Sequence, residues 1–302
     1  MAQVQANGIT IEYETFGSTD NPTILLVMGL GGQLTLWNTE LCEELVTRGY
    51  HVVRYDNRDV GLSTKFDAAG IPDMEKIFTA LATGGAVDAP YSLDDMAADG
   101  MALLDALGID KAHIAGASMG GMIVQLMAAN HPEKVLSLTS IMSNTGNPEV
   151  PQGSDAAMGA LMAPAPDPND HEAIIARGMN TWNVIGSPGY RTPEPQLREW
   201  VERDTKRSYY PQGTVRQMAA IVSNGDRREK LKKLSVPAVV LHGKDDPLVP
   251  VAGGEDTAAS IPGAELRVIP GMGHDFPVSL VDVFADAITA AASRASASQA
   301  AE

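Results

Sequence analysis

A single cysteine, Cys42, in 302 residues rules out an internal disulfide. Its setting in WNTELCEELV reads as a small buried hydrophobe on a helix, with no neighbour apparent that would lower the thiol pKa for catalysis. Positive charge is also scarce. With 22 basic against 38 acidic residues the net charge is -16, which repels nucleic acid and anionic lipid and excludes polyanion binding. No run approaches the roughly 18 consecutive apolar residues of a membrane span, and the opening MAQVQANG carries no charged, apolar leader pattern. The expectation is a soluble, cytoplasmic protein with no membrane insertion. Six histidines, at 51, 113, 131, 171, 242 and 274, include no i, i+4 pair and have no second cysteine to join them, so no metal site is expected.

What is present is an alternation of strands and helices without internal repeats, the pattern of a mainly parallel sheet covered on both faces. A chain of this length buries roughly 75% of the surface it exposes when unfolded, enough for a sizeable core. Ile9 to Phe16 alternates at period two after the Asn7-Gly8 turn and reads as one arm of an entry hairpin. Strands are expected at Ile24 to Met28, His51 to Asp56, Lys111 to Ala115, Val135 to Met142, Ala238 to His242 and Glu265 to Ile269. Helices are expected from Thr39 to Arg48, from Ser92 to Leu107 with Asp94 and Asp95 in the first turn, from Met119 to Asn130, near Thr257, and from Val278 to Ser293. The small, polar residues 294–302 read as a disordered tail.

Residues 143–229 differ in character. Prolines crowd positions 147–195, while REWVERDTKR and TVRQMAAIVSNG look like surface-facing amphipathic helices. The sheet pattern resumes afterwards, so this stretch is expected to be a helical cap over a core domain built from 1–142 and 230–293.

Two glycine-rich stretches carry the chemistry. TILLVMGLGGQ, residues 23–33, could be a strand meeting a dinucleotide phosphate loop, with Asp56 as the ribose acid; but the third glycine of G-x-G-x-x-G would fall on Leu34, and no helix starts cleanly there. HIAGASMGGMI, residues 113–123, contains G-x-S-x-G, a weak signal by itself in a glycine-rich chain. Here it ends an apolar strand and opens a helix, so Ser118 would sit on a tight strand-to-helix turn above a positive helix N-terminus. A plain helix N-cap would explain the hydroxyl but not the flanking glycines. A serine nucleophile needs a base oriented by an acid. HGKDDPLVP at 242–250 and GMGHDFP at 271–277 offer both, each after a strand, giving the chain order Ser, Asp, His.

MGLGG at 28–32, DNRDVGLS at 56–63, GASMG at 116–120, GKDD at 243–246 and GH at 273–274 occur in the order found in α/β-hydrolases, which the sequence resembles over nearly its whole length. It is most similar to the carboxylesterase group that includes aclacinomycin methylesterase, where the first motif also begins Met-Gly. The resemblance implies an α/β-hydrolase fold of about eight mostly parallel strands, with Ser118 as nucleophile, His274 as base and Asp246 as acid. Asp245 is the fallback acid, and His242 reads as a strand-end residue beside the acid loop. It further implies an oxyanion hole from the backbone N–H groups of Leu30 and Met119, with Gly29 at the substrate-binding site and Asp56 in a structural loop role. The many relatives with His in place of Met28 use it to brace the loop, a polar contact absent here.

The function so implied is hydrolysis of small to medium, fairly apolar carboxylic esters through an acyl-enzyme, with no cofactor and a small-molecule ester as partner. A histidine base predicts activity rising through about pH 6 to 7. Met119, Met122, Met158, Met162, Met179 and Met218 could be core filler, or several could line a pliable substrate pocket, with Met122, Met158 and Met162 the foremost choices. Lactonases, cofactor-free perhydrolases and carbon-carbon bond hydrolases share the triad. A non-catalytic receptor on this scaffold is a further alternative. Monomer and homodimer are both open.

Overall fold

The computed structural model describes residues 1–85 and 87–299. β1 (Ala2–Ala6) and β2 (Ile9–Phe16) join across Asn7 and Gly8, whose φ values of 50° and 75° supply the left-handed pair that a two-residue hairpin requires. β3 (Thr23–Val27), α1 (Thr39–Thr47) and β4 (His51–Tyr55) follow, then α2 (Met74–Thr83), α3 (Leu93–Ala106), β5 (Ala112–Ala117), α4 (Met119–Asn130) and β6 (Val135–Ile141). Between β6 and the next strand lie α5 (Asp155–Met162), α6 (His171–Ile185), α7 (Glu194–Arg207), α8 (Pro211–Asn224) and the short α9 (Arg228–Leu231). β7 (Ala238–Gly243), α10 (Val251–Ser260), β8 (Glu265–Ile269) and α11 (Val281–Gln299) complete the chain.

The strands form one eight-stranded sheet in the order β1-β2-β4-β3-β5-β6-β7-β8. The hairpin and its pairing with β4 are antiparallel, and every later pairing is parallel. This is the α/β-hydrolase architecture expected. Every residue of β3, β4, β5 and β7 is buried, as continuous apolar strands covered on both faces must be. Within β3, Leu25 and Val27 join the cluster under α3 and α4, while Ile24 and Leu26 join the one under α1 and α11. The period-two pleat thus assigns each face its own core. Asn38 caps α1 through Leu41 N–H, and Ser92 and Asp95 form a reciprocal capping box on α3. Cys42 is fully buried on α1, where loss of hydration pushes its thiol up to about 12 despite the nearby Arg54.

Three expectations need correction. α11 does not end at Ser293 but continues to Gln299, because Ala291, Ala292 and Ala295 are buried against the sheet and Arg294 donates to the carbonyls of Ala238 and Gly263. Of the small residues read as a tail, Ala295 is packed into this helix face; residues 300–302 lie outside the described residues. β5 runs two residues beyond Ala115, carrying the strand up to Ser118. The proline-rich stretch also holds α5 and α6, because its prolines fall between helices and Ser154 and Asp170 cap them.

His113 is buried in β5 with Nδ1 2.9 Å from Ser137 Oγ, and burial pushes its pKa down from 6.5 to about 4. As pH falls below 6.5 the unfolded chain takes up a proton there and the folded chain does not. Its share of stability is therefore full above pH 6.5, and about 3 kcal/mol is lost by pH 4. Denaturant midpoints measured from pH 7 to 4.5 should fall less steeply for His113→Asn than for the parent; parallel curves would refute the assignment.

Candidate active site

Ser118 joins β5 to α4 at φ 56° and ψ -121°, a strained conformation for any residue with a side chain. The flanking glycines make the turn sterically possible. A Cβ at Gly116 would lie 2.1 Å from the Gly120 carbonyl oxygen, and one at Gly120 would lie 2.0 Å from that of Val27. The first turn of α4 therefore sits directly on β5 and β3, at the carboxyl edge of the sheet. Ser118 caps the helix only by position, because its hydroxyl makes no capping bond.

The loop after β3 runs against this turn. A Cβ at Gly29 would stand 3.0 Å from Ser118 Cβ and 3.5 Å from Ser118 Oγ, so the glycine backbone lies in close contact with the serine and a side chain there would crowd it. Gly32 N–H closes the turn on the Gly29 carbonyl at 3.1 Å, and Asn57 Nδ2 holds the Met28 carbonyl at 2.8 Å. Gly31 N–H donates to Gln217 Oε1 at 2.8 Å, while Gln217 Nε2 donates to the Arg58 carbonyl at 2.8 Å. Among the described residues, the N–H groups of Leu30 and Met119 donate to no protein acceptor. Gln217, fully buried on α8, thus fixes the peptide next to Leu30. If the Leu30 N–H serves as an oxyanion donor in ester hydrolysis, Gln217→Leu lowers kcat by about tenfold to a hundredfold with little change in KM, because a displaced donor is felt in the transition state. An unchanged kcat would dismiss this bracing role.

On the other side, His274 Nδ1 lies 2.7 Å from Asp246 Oδ2. Asp246 Oδ1 accepts the N–H groups of Leu248 and Val249 at 2.9 and 2.8 Å, which fixes the orientation of the carboxylate. Asp245 instead braces the histidine loop, its Oδ2 accepting Gly271 N–H at 2.7 Å. His242 is fully buried, donates Nε2–H to the Val249 carbonyl at 2.7 Å and stands 3.7 Å from Asp246 Oδ2; burial pushes its pKa down. Among the described residues no hydrogen bond joins Ser118 Oγ to His274.

Two cavities flank the Leu30–Gly31 loop. One of about 360 Å³ is lined by Leu30, Met74, Met162 and Met218 among others. The second, about 210 Å³, lies between Gly31 and Gly32, the two tryptophans Trp182 and Trp200, and Asp275 and Phe276. Of the methionines expected at the pocket, Met162 lines the first cavity; Met122 is packed in the core under α4, and Met158 is 38% exposed on α5 and lines neither. Helical spacing puts Met122 on the sheet side of α4 and Met158 on the outer side of α5. Sequence reasoning missed Gln217, Asp275 and the two tryptophans. The only available signal was the D-F pair directly after His274, because the others come from the inserted helices, whose placement depends on tertiary packing.

The DNRD motif after β4 is entirely buried. Asp56 accepts the N–H groups of Leu34 and Leu62 at 2.8 Å each and pairs with Arg207 of α7 at 2.7 Å, so it braces loops where a nucleotide reading would give it a ribose. Asp59 pairs with Arg216 of α8 at 2.8 and 2.9 Å. Among the described residues no cluster of His, Cys, Asp and Glu could hold a metal ion, and no helix is long and apolar enough to cross a membrane.

Comparison with known proteins agrees with this fold. Rhodomycin D methylesterase DnrP of Streptomyces peucetius is 28% identical over 304 residues, covering 93% of this chain and 94% of that protein. DauP of Streptomyces sp. strain C5, also a rhodomycin D methylesterase, is 27% identical with the same coverage. Among solved structures, the meta-cleavage product hydrolase of Pseudomonas fluorescens IP01 superposes with a TM-score of 0.75 over 98% of both chains at 18% identity, a likeness of fold alone. The methylesterases bear out the group suggested by the Met-Gly motif. The family model described as alpha/beta hydrolase fold matches residues 22–278, and the chain belongs to that family.

Proposed function

We propose that the protein is a serine hydrolase of carboxylic esters. The family and the relatives support hydrolase chemistry; the serine mechanism rests on one observation, the strained Ser118 turn with the Gly29 backbone packed on it and the His274–Asp246 pair on the neighbouring loops. In this reading His274 Nε2 takes the Ser118 proton as Oγ attacks the ester carbonyl. Asp246 holds the ring through Nδ1 and steadies the imidazolium. The tetrahedral oxyanion forms between the N–H groups of Leu30 and Met119, at the positive end of α4. His274 then protonates the departing alcohol, and water, activated in the same way, releases the acid.

The helices between β6 and β7 act as a cap, with the methionine-lined cavity beside Leu30 taking the acyl group. An aryl fluorophosphonate should label the protein once, at Ser118, and peptide mapping would locate it. A protein that resists the probe while hydrolysing esters would require another nucleophile. An ester panel varied in acyl length should show a size optimum, as a bounded apolar cavity demands.

A further inference from the structure

The cavity beside the histidine loop is lined by Asp275, whose carboxylate has one oxygen left without a protein donor among the described residues. Asp275 directly follows His274, and its Oδ1 accepts both the N–H of Ser187, at 3.0 Å, and the Ser187 hydroxyl. Among the described residues no protein group donates to its Oδ2. Ser187 is fully buried and also accepts Gly273 N–H through its Oγ at 2.9 Å, so the carboxylate is held rigidly on the histidine loop. The other acidic residue on the cavity wall, Asp204, is already taken by Thr35 and Arg203. Trp182, Trp200 and Phe276 supply flat apolar walls.

We propose that Asp275 Oδ2 recognises a hydrogen-bond donor, a hydroxyl or a protonated amine, on an aromatic alcohol portion of the ester. This rests on the ester-hydrolase reading and adds to it the identity of the leaving group. The departing oxygen is protonated by His274, so the alcohol must lie on the histidine side, where Asp275 and Phe276 bound the cavity together with Gly31 and Gly32 of the oxyanion loop. Burial works against the charge of Asp275 and raises its pKa; a donor delivered by the ligand offsets that cost, while an apolar alcohol leaves the carboxylate half-solvated and unpaired.

The test compares acetate esters of 2-phenylethanol, 2-(4-hydroxyphenyl)ethanol and 2-(4-aminomethylphenyl)ethanol. At least one donor-bearing ester should exceed the parent ester in kcat/KM by about tenfold to a hundredfold, the worth of one charge-assisted hydrogen bond. Asp275→Asn keeps the acceptor that Ser187 uses but presents an amide N–H₂ at the second position, so this ratio should collapse towards one. Taking the ratio cancels any common effect of the neighbouring substitution on His274. If that variant does not fold, the three free alcohols tested as inhibitors of the parent protein give the same ordering in Ki. The donor that gains, hydroxyl or amine, identifies the recognised group. A ratio near one in the parent protein, or one unchanged in Asp275→Asn, overturns the proposal while turnover of the phenylethyl ester keeps the esterase reading standing; no turnover of any ester removes both.

Discussion

Ser118→Ala is expected to lower kcat on an aryl ester by about 10⁶, and His274→Ala by about as much, because in the proposed mechanism nucleophile and base act as one unit and losing either leaves only binding and the oxyanion donors. The double variant should therefore be scarcely worse than either single one. Stability should not follow activity. Alanine keeps the Cβ that the 118 position already accommodates at φ 56°, and the Ser118 hydroxyl makes no bond that holds the fold together. An inactive variant with an unchanged thermal midpoint is the expected pair of results. Wild-type turnover in Ser118→Ala would end the serine mechanism.

The largest expected loss of stability lies elsewhere, at Arg216. Its guanidinium is 1% exposed and pairs in bidentate fashion with an Asp59 carboxylate that has no exposure at all. Arg216→Met leaves that carboxylate buried and uncompensated, which should cost about 3–5 kcal/mol. Adding Asp59→Asn removes the stranded charge. Asparagine tolerates the φ of 67° at this position and retains an acceptor for Phe66 N–H, so the double variant should recover part of the loss. Denaturant unfolding decides the matter: a single variant within about 1 kcal/mol of the parent protein would contradict the cost assigned to an unpaired buried charge. α8 should also loosen, because Gln217, the neighbour of Arg216, holds Gly31 from the same helix.

The difference between Ser118 and Arg216 also shows what the sequence made legible. β8 and α4 lie where the residue pattern placed them, because a short strand alternating charged and apolar residues between turns, or a helix opening after G-x-S-x-G, is encoded within a dozen neighbouring residues. The preference for Asp246 over Asp245 came from the spacing of the resemblance, and the carboxylate hydrogen-bonded to His274 is that of Asp246. Arg216, Gln217 and Asp275 gave no comparable signal. Their partners lie 157, 186 and 88 positions away in the chain, and no local pattern states which charge on an amphipathic helix will turn inward. The methionines are separated in the same way: composition marked them as pocket candidates, and helix phase and packing put Met162 on a cavity wall and Met122 and Met158 elsewhere.

Cys42, fully buried on α1 with its thiol pushed up to about 12, has one practical consequence. A thiol in that state is inert to maleimides at neutral pH, and the chain has no other cysteine. A cysteine introduced on the exposed side of α7 would therefore be the sole site for a fluorophore or spin label in otherwise native protein. Motion of the inserted helices during turnover can be followed spectroscopically without first stripping the molecule of its own sulfhydryl.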